Sequence, residues 1–177
     1  MQLLFILIAI LLIFSFILKS SLFPRFGAVI FGVLAAAFLW LAIPWLTEQP
    51  RSAITGFLSN RAALLDISGA IVLEAFLMIG FCLLRGKGKA SWLRWIPEIL
   101  ALPSLCILAA FSLYALPGVS FGWFRAIASS AAFILISGGS VLIRRISEKE
   151  EERLEALFLI NIFILLLTVA AAGAFTF

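Results

Sequence analysis

Apolar residues run along this chain in six blocks separated by short polar gaps. The blocks cover positions 3–18, 27–46, 62–84, 99–116, 122–143 and 154–175. A hydrocarbon core of about 30 Å is crossed by about 20 apolar residues in α-helix, and inside lipid a lone segment satisfies its own backbone only as a helix. The pattern predicts an all-α membrane protein, a bundle of six transmembrane helices. Residues 1–177 then form one domain with little chain left for a soluble part.

The third block interrupts its own apolar pattern with Asp66 and Glu74. An ionisable group at membrane depth costs several kcal/mol, about 3 on insertion scales, and is tolerated mainly where it faces protein or a wet cavity. Eight residues of helix give about 12 Å of rise and about 80° of rotation. The two carboxyls therefore share a broad face with Gly69 and Ala70, with Gly80 beyond, and this face is expected to lie against protein. Glu74 falls near the middle of the span and Asp66 about one turn inside its end. Both are candidates for a proton relay or a buried polar site. In the competing readings Glu74 is a packing acid, and Asp66 caps its helix or reaches toward Arg61 or the headgroups.

The first block is hydrophobic all round and is expected at the periphery. In the second, Gly32 and Ala36 have the small-xxx-small spacing that lets helices approach closely. Pro103 is expected to bend the fourth helix. The fifth, rich in Ala, Ser and Gly, is expected beside the third, which would set Arg125 opposite Asp66; Arg125 and Arg61 are the candidate ion-pair partners. In the connection 47–61, Ile54, Phe57 and Leu58 fit either an amphipathic surface helix or an ordinary loop. The basic stretch 85–95 with Trp92 and Trp95 suits anionic headgroups. Ser147 and Glu150 fit a capping box that starts the last helix. The charged segment from Arg144 to Glu155 is either a solvated face or a docking surface for a cytoplasmic partner. Asn161 and Thr168 are expected to bond between helices.

Composition agrees: 64% of residues are hydrophobic and 12% charged, against about 45–50% and 25% in soluble domains. Charge sets the orientation, because Lys and Arg of short loops stay in the cytoplasm. With the N-terminus outside, ten of the 13 basic residues are cytoplasmic, leaving Arg51, Arg61 and Arg125 on the far side. Both termini are thus expected on the non-cytoplasmic side, with an even number of spans. The same asymmetry accounts for the net charge of +4 without a nucleic-acid surface. The chain has no histidine, the commonest general base and metal ligand. Cys82 and Cys106 fall within spans, where a thiol acts as a small apolar group. No cofactor, metal or catalytic residue is expected, and the chain reads as a non-enzyme.

The turn Leu22-Phe-Pro-Arg-Phe-Gly27, the sequences Thr47-Glu-Gln and Leu58-Ser-Asn-Arg61, the acids Asp66 and Glu74, and Arg153-Leu-Glu155 together resemble a small multi-spanning protein of Hmu-type haem-uptake operons. The resemblance implies a bacterial inner-membrane complex driven by the proton-motive force and serving haem or other tetrapyrrole uptake. It also implies channel subunits of the ExbB/TolQ/MotA type and a cobaltochelatase-like protein as companions. The residues themselves reach a polytopic protein with two intramembrane acids. A self-contained proton-coupled transporter and a purely structural subunit stay open beside the complex subunit.

Overall fold

The structure, a computed structural model, describes residues 2–50, 52, 56, 60–85, 98–115 and 120–174. Among these, all regular structure is helical: α1 (Gln2–Ser21), α2 (Arg25–Glu48), α3 (Arg61–Arg85), α4 (Ala101–Ala115), α5 (Phe121–Ile146) and α6 (Glu150–Ala174). The positions expected to form an amphipathic loop helix (Ile54, Phe57, Leu58) and the basic stretch 86–95 lie outside the described residues.

Five of the six helices are long and apolar enough to cross a membrane. The exception is α4, whose 15 residues reach about 22 Å, less than the roughly 30 Å of a bilayer core. Five candidate spans thus stand among the described residues, and the described part of the fourth apolar block is a short helix that begins inside the bundle. Its N-terminus shows why. Leu100 caps α4 by accepting from Ser104 N–H at 3.1 Å, which puts Pro103 in the first turn, where its missing N–H has no intrahelical role. Pro103 therefore belongs to the helix start and bends no membrane-spanning helix.

The centre of the bundle is α1, not its periphery: 61% of its span is buried, against 28–39% for the other four. A helix apolar on every side suits lipid contact and full burial equally, so hydrophobicity alone did not decide between them. From Ser15 to Phe23 every residue is buried, packed by α4, α5 and α6. The helix ends where the Ser20 and Ser21 hydroxyls donate back to the Ile17 and Leu18 carbonyls, at 3.0 and 2.6 Å. Pro24 then opens α2. Phe31 locks the turn, meeting Phe23 and Phe16 edge-on at 5.0 and 5.6 Å.

Two further pairs complete the bundle. The expected α3–α5 neighbourhood is replaced by α3 along α6 and α5 along α2. Gly32 makes the α2–α5 contact: a Cβ there would collide with Ser137 and come within 3.3 Å of the Phe133 carbonyl oxygen. The α5 backbone answers with a π-turn at Ile134–Gly138, an inserted residue of the kind that re-aims one helix face. Ser137 then donates to Ala28 O at 3.4 Å, and Ser140 to Ile17 O at 3.4 Å while also bonding Ser20.

Tyr114 donates to Gln49 O at 3.2 Å and Phe5, Leu64 and Phe111 pack together, which marks one end of the bundle. Arg144 Nε donates to Ser21 O at 2.8 Å at the other.

Candidate functional site

Pro44 sits inside α2 and lacks the N–H that would bond the Trp40 carbonyl four residues back. Arg125 fills that gap, with Nε donating to Trp40 O at 2.7 Å and its guanidinium stacked 4.1 Å from the Trp40 ring centroid. The expected Arg125–Asp66 pair is therefore not formed. Asp66 and Arg61 are both exposed and no ion pair links them among the described residues. Nor do Asp66 and Glu74 share a protein-facing surface. Asp66, Gly69 and Ala70 lie on the exposed side of α3, and a Cβ at Gly69 would meet nothing within 4 Å. The 80° between the acids is wide enough to straddle the boundary between the exposed and packed faces.

Glu74 lies on the packed face, with Ile71, Ala75 and Met78. Its carboxylate accepts the Leu100 N–H, at 3.0 Å to Oε2 and 3.3 Å to Oε1. Glu74 thus caps α4 from another helix, holding a backbone donor at the positive end of the α4 dipole. About 16 Å of α3 continue beyond Glu74 to Arg85, so α4 begins well inside the bundle.

Three elements add polar groups around this point. Glu98, just before α4, is 1% exposed, and its Oε1 accepts from Ser15 Oγ at 3.1 Å. Ser15 Oγ accepts in turn from Asn161 Nδ2 at 2.9 Å. Asn161 also bonds its own helix at Leu157 O, at 2.9 Å. Lys19, one turn along α1 from Ser15, is 2% exposed. Its Nζ approaches Met78 Sδ at 3.3 Å and lies 5.5 Å from the Phe81 ring centroid. Lys19, Glu98 and Glu74 are all buried in this same interior.

One ammonium and two carboxyls are thereby enclosed by α1, α3, α6 and the entry of α4. An isolated charge in such a place costs several kcal/mol. Glu98 Oε2 is buried and makes no hydrogen bond among the described residues, so the carboxyl keeps a free oxygen beside the one that Ser15 engages. The Asn161–Ser15–Glu98 chain fixes the orientation of the carboxyl, and networks of this kind polarise one another.

Sequence reasoning found Glu74 and missed Lys19, Glu98 and Ser15 as members. Lys19 stands at the end of an apolar block, where a basic residue reads as a loop anchor, and Glu98 follows Pro97, where an acid reads as an ordinary helix-start residue. The available signal was the spacing of Ser15 and Lys19, four apart on one face of α1. Asn161 was expected to bond between helices and does. Thr168 instead donates to Ile164 O of its own helix, at 2.7 Å. Cys82 and Cys106 are half-buried. No group of three or more potential metal ligands occurs among the described residues.

The fold and this polar interior define the class: a multi-pass helical membrane protein with an enclosed ionisable cluster. Comparison with protein families, curated proteins and solved structures returns no match.

Proposed function

We propose that the protein is a non-enzymatic integral subunit of an inner-membrane complex driven by the proton-motive force and supporting nutrient uptake, with haem or a related tetrapyrrole as the cargo class. All six apolar blocks contribute crossings in this reading, and both termini lie outside. The observation that carries the reading is the enclosed Lys19–Glu74–Glu98 cluster. Two carboxyls facing one ammonium form a unit that can gain and lose a proton while its surroundings stay packed. Glu74 and Glu98 hold the proton, and Ser15 and Asn161 orient Glu98. Asp66 has a different part. An acid within a span yet on the exposed side of α3 calls for a protein neighbour, and Asp66 with Gly69 and Ala70 forms the seam against a channel-type subunit.

A second reading, a self-contained proton-coupled transporter, draws on α4. Transporters place the N-termini of interrupted helices at their binding sites, and α4 starts at buried acids. Purification in mild detergent separates the two. Membrane proteins co-purifying in fixed stoichiometry support the subunit; a homogeneous homo-oligomer that retains activity in vesicles contradicts it and supports the transporter.

A further inference from the structure

The end of the bundle opposite Tyr114 holds a second cluster of charge that the proton-handling reading does not use. Arg144, Arg145 and Arg153 line a cavity of about 620 Å³ with Val141 and Glu148, where α5 ends and α6 begins. Three guanidiniums and one carboxylate give the lining a net charge of +2 (3 − 1).

Two of the arginines are held in place by the chain. Arg144 Nε donates to Ser21 O at 2.8 Å and Arg153 Nη1 to Ser147 O at 3.1 Å. Arg153 is 9% exposed, and its buried Nε–H makes no hydrogen bond among the described residues. Leaving a buried donor without an acceptor is unfavourable, and a fixed guanidinium presents donors in the geometry that phosphate oxygens accept. Apolar surface lies at the same end of α5: Val141, which lines the cavity, and Leu142 and Ile146 are all exposed. Basic pockets where membrane helices meet the interface take acidic headgroups.

We propose that this cavity binds a phosphate group, supplied by the headgroup of an acidic phospholipid whose acyl chains lie along the exposed end of α5. A soluble phosphate is the other source of the same chemistry.

The test uses the full-length protein, stripped of lipid in neutral detergent, and reads its thermal midpoint against added phosphatidylglycerol, phosphatidylcholine or inorganic phosphate. Phosphatidylglycerol is expected to raise the midpoint by several degrees and to saturate, while phosphatidylcholine does not. Arg145→Gln, at an exposed position, is expected to lose at least half of that shift. Glu148→Gln, which removes the one acid of the lining, is expected to reach the same shift at severalfold lower lipid concentration. Arg153→Gln is expected to abolish the response, but it removes a buried side chain, so the two exposed variants decide the matter. A response to phosphatidylglycerol without one to inorganic phosphate assigns the headgroup as the source. A response to inorganic phosphate that Arg145→Gln removes assigns a soluble phosphate. Equal stabilisation by phosphatidylcholine, or unchanged responses in both exposed variants, would overturn the site.

Discussion

Ser15 on α1 and Glu98 at the entry of α4, 83 positions apart in the chain, are joined by a hydrogen bond of 3.1 Å inside the bundle. The same hydroxyl accepts from Asn161 on α6 at 2.9 Å. One serine thereby ties three elements and spends its single proton on the buried carboxyl.

Ser15→Ala is expected to destabilise the fold by about 1–3 kcal/mol, since it strips Glu98 of its donor and Asn161 of an acceptor in a buried place. Because the two losses share one hydroxyl, Ser15→Ala combined with Asn161→Leu should cost less than the sum of the single changes. Unfolding in detergent measures the cycle, and strict additivity would mean that the chain of bonds is not a unit.

Lys19→Met is expected to be among the most damaging single changes, at about 3–5 kcal/mol, the range for removing one member of a buried charge cluster. Adding Glu98→Gln to Lys19→Met takes away one of the carboxyls left behind, so the double variant should unfold at a higher temperature than Lys19→Met alone. A double variant less stable than either single one would show that the Lys19 charge does not balance these acids.

Gly32 and Gly69 offer a matched pair in two helices. At Gly32 a methyl has no room beside Ser137 and the Phe133 carbonyl, and overpacking of this kind costs about 1–3 kcal/mol. At Gly69 it meets nothing within 4 Å, and relief of backbone entropy is worth up to about 1 kcal/mol. Gly32→Ala should lower the unfolding midpoint and Gly69→Ala should hold or raise it. The reverse order would contradict the α2–α5 contact.

Reporter fusions test the orientation. A reporter active only in the cytoplasm should be silent after Phe177 and active when inserted near Lys89. The opposite pattern would reverse the ends of the bundle and put the arginine cavity outside.

The legible part of the fold was what hydropathy encodes: helical character, the number of apolar blocks and the presence of Glu74 in the interior. What stayed hidden depended on which helix lies beside which. Because lipid and a packed neighbour are both apolar, nothing in the first block distinguished a central α1 from a peripheral one. Asp66 and Glu74 looked alike in sequence, and only the packing of α3 against α6 turned one outward and the other inward. Arg125 was misassigned because its partner is not an acid but the Trp40 carbonyl freed by Pro44, a backbone group that a search for opposite charges passes over. The late start of α4 was hinted at by Pro103, yet it could be placed only once Glu74 was seen holding the Leu100 N–H.

Passage of protons through Glu74 and Glu98 is tested most directly by proton flux. The protein with its co-purifying membrane partners is reconstituted in vesicles containing a pH-sensitive dye, and a potassium diffusion potential is applied. Glu74→Gln keeps an acceptor for the Leu100 N–H and Glu98→Gln keeps one for Ser15, so both should assemble at normal yield. A potential-driven proton influx is expected with the wild type and should fall at least tenfold in each variant. Influx equal to wild type in both variants, at normal yield, would contradict it and leave the cluster a packing feature.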